Sequence, residues 1–183
     1  MVVLAYLLIG LFLVILQTSV LMVHPLWVPA PDLYYILLAY LAYRFDLLRS
    51  LIIIFPLSWV LDILSGVVIG MYPAICFSSF VLLKAMDAKI PVRESLYQVP
   101  LAGVCYLFVH WAAHTVISLF FPGVLAPWSW LQMFVRVFLL ILIAFPLFRV
   151  FELVTRRLNR QFTPFKMLRV RSGNRFRGEE GEL

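Results

Sequence analysis

Leu61-Asp62-Ile63-Leu64-Ser65-Gly66-Val67-Val68-Ile69-Gly70-Met71-Tyr72-Pro73 decides how this chain folds. The stretch joins two apolar segments, yet it carries a carboxylate, a Ser-Gly break and two glycines four residues apart. A charge near the end of an apolar span is costly and normally finds a partner inside the protein. Gly66 and Gly70 allow the backbone to turn or a second helix to approach closely. The combination predicts a joint between packed helices.

Working outward, apolar segments dominate. Of the 183 residues, 64% are apolar and 13% charged, and the mean hydropathy is +1.01. A soluble domain carries about 25% charged residues, so the composition predicts an integral membrane protein. A spanning helix takes about 20 residues, so the length allows five or six spans and excludes a separate soluble catalytic module. Cys76 and Cys105 lie in apolar runs and read as small buried hydrophobes, with no CxxC pattern. The first apolar run lacks a basic n-region and a small-residue cleavage site, so it is expected to be retained.

The expected spans are Val2–Val23, a short run Leu33–Tyr43, Leu47–Leu64 with Pro56 inside it, Met71–Leu83, Val99–Phe121 and Trp128–Val150, the fourth beginning as early as Gly66. The second run covers only about 16 Å of helix. It follows His24, Pro25, Pro29 and Pro31, which exclude continuous helix. A short helix led by an apolar non-helical segment must be buried in protein or line a cavity. This predicts an indented outer face. The fold class is therefore an all-α polytopic membrane protein: a six-span domain over 1–153, then a basic, partly disordered tail over 154–183.

Lys and Arg set the orientation. Loops 44–49 and 84–94 and the tail, counted from Arg149, hold every one of them except Arg136. Loops 24–31, 65–70 and 122–127 hold none. Both termini are thus expected in the cytoplasm, with Trp27, Trp128 and Trp130 at the outer interface.

Arg136 is the one basic residue inside a span, roughly 13 Å below the outer surface counting from Pro127. Helical side chains lean toward the helix N-terminus, so Arg136 leans outward and Asp62 inward. The two converge in depth and are expected to pair. A structural lock between helices is the commoner use of such a pair; a ligand or proton site is the alternative. The expected consequence is that Asp62→Ala destabilises and Arg136→Leu added to it recovers much of the loss. Asp32 is the alternative partner, although Asp after Pro at a helix start more often meets the dipole of its own first turn.

His110 and His114 stand four apart, with Ser118 continuing their face. That spacing suits two metal ligands on one helical turn. No glutamate sits between them and no third ligand is evident, so a packed polar face is the commoner reading and no metal or cofactor is expected. There is no G-x-S-x-G, no Gly-rich phosphate loop and no carboxylate pair within a span, so the sequence predicts no enzyme. The tail carries eight basic residues between Arg156 and Arg177. Arg156, Arg157 and Arg160 stand nearest the membrane, where each basic residue gains about 1 kcal/mol against anionic lipid. Nucleic acid is not an expected partner.

Pro31-Asp32-Leu33, Arg49-Ser50, Leu61-Asp62-Ile63-Leu64-Ser65-Gly66 and Gly70-Met71-Tyr72-Pro73 together resemble the bacterial rod shape-determining protein MreD family, over roughly residues 1–150. Pro56 and Ser58 stand where that pattern has small glycines, and the basic tail is additional. The resemblance implies a non-enzymatic inner-membrane component of the cell-elongation complex. It would bind the bitopic MreC, support RodA and penicillin-binding protein 2 in peptidoglycan synthesis, and connect indirectly to MreB. It also implies a bundle like the S-components of energy-coupling-factor transporters, which leaves a solute-binding subunit as the alternative function. Asp32, Asp62, Gly66, Gly70 and Arg136 would then line the partner groove.

Overall fold

The computed structural model describes residues 2–21, 31–65, 70–89, 95–120 and 128–162. Among the described residues six α-helices follow one another: α1 Val2–Leu16, α2 Leu33–Arg44, α3 Leu47–Ser65, α4 Met71–Lys89, α5 Ser95–Phe120 and α6 Trp130–Phe162. A π-helical turn, Gln17–Leu21, extends α1. α1 continued into that turn, and α3 to α6, contain stretches long and apolar enough to cross a membrane, which makes this a multi-pass membrane protein. The chain divides into two compact units, Met1–Phe148 and Arg149–Leu183.

Within the first unit, α2 is the centre. It touches α1, α3, α4 and α5, and every residue from Leu33 to Ala42 is buried. A helix apolar on all sides has no solvent face to present, so it goes to the middle. Its 12 residues span only about 18 Å, so both of its ends fall inside the protein.

Those ends would strand backbone donors and carbonyls, and neighbouring helices answer them. At the start, the Tyr34 N–H donates to Gln17 Oε1 at 3.2 Å. At the end, Ser50 Oγ donates to the Leu41 carbonyl at 3.1 Å. Lys84 Nζ, from α4, donates to the carbonyls of Ala42 at 2.9 Å and Phe45 at 3.0 Å. A cation at a helix C-terminus also opposes the negative end of the dipole. Lys84 therefore belongs to the packing of α2 as well as to the loop charge count. Lys84→Met keeps the apolar stem and removes these bonds, and is expected to cost about 1–3 kcal/mol. Reversible unfolding in detergent checks this; an unchanged midpoint would refute the capping role.

Close approaches fix the remaining helices. Gly10 of α1 leaves so little room that a Cβ there would collide with Leu57 of α3 and lie 3.0 Å from Leu37 of α2. Gly103 of α5 does the same for α6, where a Cβ would lie 2.9 Å from Ile141. Aromatic rings fill the wider gaps: Tyr40 packs edge-on against Phe148 at 5.5 Å and stacks on Tyr6 at 5.9 Å. Pro56, Pro100 and Pro146 all lie inside helices. Ile63 and Leu131 are 76% and 77% exposed, which is what a lipid-facing surface looks like when the lipid is left out of account.

The expected early start of the fourth helix is corrected: α4 begins at Met71, and Gly66 lies outside the described residues. So does Trp27. In the second unit, the helix continues to Phe162, with Arg156 bonded to Glu152 one turn earlier at 3.0 Å. Arg157 lies on the same helical segment. The side chain of Arg160 and all of residues 163–183 lie outside the described part.

Candidate functional site

Two polar centres interrupt the apolar bundle, one on each side of the Asp62–Arg136 pair expected from sequence. The first is the joint between α3 and α4. Gly70 adopts a φ of +92°, in the left-handed region where a side chain is strained. That turn aims the first N–H groups of α4 at Asp62. Its Oδ2 accepts from Gly70 N at 2.6 Å, and its Oδ1 from Tyr72 N at 3.2 Å. Asp62 is 4% exposed, so the bonds replace lost hydration, and the negative charge faces the positive end of the α4 dipole.

The second centre forms where polar groups of the π turn, the start of α2 and α5 meet. Asp32 is the N-cap residue of α2, where the dipole contact is expected, but its side chain makes no cap hydrogen bond to that helix. Its Oδ1 instead accepts from Gln17 Nε2 at 2.8 Å, and its Oδ2 accepts from the Tyr106 hydroxyl. His110 Nε2 stands 3.9 Å from the same Oδ2. The His110 ring lies over that of Tyr106, centroids 3.9 Å apart, and its Nδ1 is 3.0 Å from the Tyr106 carbonyl.

Arg136, on α6, adds a positive charge whose field is felt at Tyr106, Asp32 and Tyr72, but among the described residues it forms no ion pair with a carboxylate. The expected Asp62–Arg136 pair is therefore not the arrangement found. Matching depth along two helices does not fix their rotation, and the N–H groups of α4 occupy Asp62 instead. Asp32, weighed as the alternative, is the carboxylate on the Arg136 side.

His110 and His114 are not brought together. His110 joins Asp32 and Tyr106, whereas the His114 ring packs against Trp128 at 5.0 Å. Among the described residues no three His, Cys, Asp or Glu side chains gather in a way that could hold a metal ion. Gln17 and Tyr106 escaped notice in the sequence. For Gln17 the signal was its amide inside an otherwise apolar run, Val2–Leu16 continuing to Val23. A π turn tends to reorient a side chain for function, and here it carries Gln17 to Asp32. Tyr106 offered no comparable signal, because tyrosine is as common in apolar packing as in hydrogen bonding.

Between α4 and α5 runs an apolar groove of about 910 Å3. Small residues line part of it: Gly70 in the turn before α4, Ala74 and Ser78 four apart on α4, and Ala112 and Ala113 on α5. Larger apolar side chains, Val81 and Phe108 among them, line the rest. Of the residues expected to line a partner groove, Gly70 lines this one, while Asp32 and Arg136 belong to the polar centre.

No protein-family model, no curated protein and no solved structure matches this chain.

Proposed function

We propose that this chain is a non-enzymatic, six-span component of the bacterial cell-elongation complex, resembling MreD. On this reading α2 counts as the short sixth span. The protein resides in the bacterial inner membrane with both termini in the cytoplasm, as the distribution of Lys and Arg implies. Its role is to hold a bitopic MreC-like protein beside the RodA–penicillin-binding protein 2 synthase, with MreB reached indirectly from inside and the basic tail resting on anionic lipid.

The observation that supports this most is the α4–α5 groove. Lipid tails are as apolar as leucine, so helices associate in a membrane by close packing rather than by the hydrophobic effect. Small residues at four-residue spacing let a partner backbone come near, and Ala74 and Ser78 of α4 line the groove at that spacing. A single membrane-spanning helix is the occupant this shape suits, and a bitopic partner supplies one.

A photo-crosslinking residue placed at Ser78 or Ala112 in native cells tests the assignment. An adduct with the MreC-like protein is expected from both, and none from Ile63, on the exposed side of α3. Crosslinks from Ile63 but not from the groove would move the partner elsewhere. The polar centre around Asp32 and Arg136 favours the S-component reading instead. Capture of a transporter ATPase pair in place of elongation proteins would establish that reading and overturn ours.

A further inference from the structure

We infer that a water molecule bridges Asp32 Oδ2 and His110 Nε2 inside the bundle, binding α5 to the start of α2. The argument begins with the histidine. Its Nδ1 lies 3.0 Å from the Tyr106 carbonyl. A carbonyl oxygen can only accept, so the ring nitrogen facing it carries a proton. A neutral imidazole holds one proton, which leaves Nε2 as an acceptor. The group it faces, Asp32 Oδ2 at 3.9 Å, is an acceptor as well.

That distance identifies the state of the ring. A doubly protonated imidazole would close on the carboxylate to a charge-assisted bond of about 2.8 Å. A gap of 3.9 Å is what two facing acceptors keep. Two such groups repel each other in an apolar bundle, and a shared donor relieves them. The nearby protein donors are already used: the Tyr106 hydroxyl ends on Asp32 Oδ2 and the Gln17 amide on Oδ1. Arg136 makes no ion pair with Asp32. Among the described residues no side chain donates to His110 Nε2.

Water fits the place in size and in chemistry. One water about 2.8 Å from each acceptor sits beside the gap, off the line that joins them, and donates to both. The His110 and Asp32 side chains keep 18% and 24% of their surface, which leaves room beside them for a molecule of that size. Internal waters collect at polar groups that the protein leaves unmet, and such a bridge is nearly as favourable as a direct bond. His110 stands ten residues before the end of α5 at Phe120, about 15 Å along the helix. The polar centre therefore includes solvent well inside the span. This inference depends on the membrane reading of the chain and not on its place in cell elongation.

The test is solid-state NMR on the full-length protein in proteoliposomes at neutral pH, with histidine labelled by 15N. The chain has three histidines, so the signals are few. His110→Gln assigns the one that matters; should it not fold, His24→Gln and His114→Gln assign it by elimination. The expected result is a neutral His110 with its proton on Nδ1 and magnetisation passing from water to Nε2. Asp32→Asn removes the charge that holds the water, and the transfer should fall several-fold while the neutral ring remains. A proton on Nε2, alone or together with Nδ1, would overturn the inference, because His110 would then donate toward Asp32 itself. Absence of transfer from water would overturn it too, as would transfer of equal strength in Asp32→Asn.

Discussion

Asp32→Ala is expected to destabilise the protein by about 2–4 kcal/mol, because two buried donors lose their acceptor at once and each unmet donor costs about 1–3 kcal/mol. The Gln17 amide and the Tyr106 hydroxyl both end on Asp32, so the change also releases the π turn and α5 from the start of α2. Gln17 in turn accepts the Tyr34 N–H, and a loosened Gln17 leaves that donor weaker as well. Asp32→Asn keeps one acceptor and should cost less than half as much. Chemical unfolding in detergent measures both variants. A second comparison isolates the contact: Tyr106→Phe alone removes the same hydrogen bond, so Asp32→Ala combined with Tyr106→Phe should lose less than the sum of the two single changes. Strict additivity would mean that Asp32 and Tyr106 do not act together.

Asp62→Ala is expected to cost a similar amount, about 2–4 kcal/mol, by a different route. Here the lost partners are two backbone donors, the N–H groups of Gly70 and Tyr72, at a buried helix start where few other acceptors can reach. Because no ion pair joins Arg136 to Asp62 among the described residues, adding Arg136→Leu to Asp62→Ala should not restore stability. The expected result is near-additive loss, the reverse of what a direct Asp62–Arg136 pair predicts. Recovery in the double variant would show that the pair exists after all. Asp62→Asn should fall between wild type and Ala, since an amide retains one carbonyl oxygen for one of the two N–H groups but lacks the charge that opposes the dipole.

These two variants also separate what was legible in the sequence from what was not. The class of protein was legible, because composition acts everywhere along the chain: a chain with 64% apolar residues cannot hide that surface from water except in a membrane. The places where helices must break were legible for a local reason. Proline fixes φ and lacks an N–H, and glycine admits a positive φ, so the Leu61–Pro73 stretch announced a turn that Gly70 makes. The shortness of Leu33–Tyr43 and its need for burial followed from the rise per residue alone, and α2 is buried over Leu33–Ala42.

Pairing between helices was not legible. Depth along a span follows from counting residues, but which face of each helix meets which neighbour depends on the packing of all of them. Asp62 and Arg136 sit at compatible depths, and the bundle nonetheless gives Asp62 to the start of α4, with no ion pair between the two. His110 and His114 share a face by their spacing, yet one meets Asp32 and the other Trp128. Lys84 read as a loop charge until α4 packed beside the end of α2 and supplied carbonyls within its reach. The sequence by itself determined a membrane-bound helical chain, its breaks and its buried short helix, because those follow from solvent and from local backbone chemistry. Only the tertiary structure decided the partners of each polar side chain, because a hydrogen bond across helices depends on a few ångströms of rotation that no residue count contains.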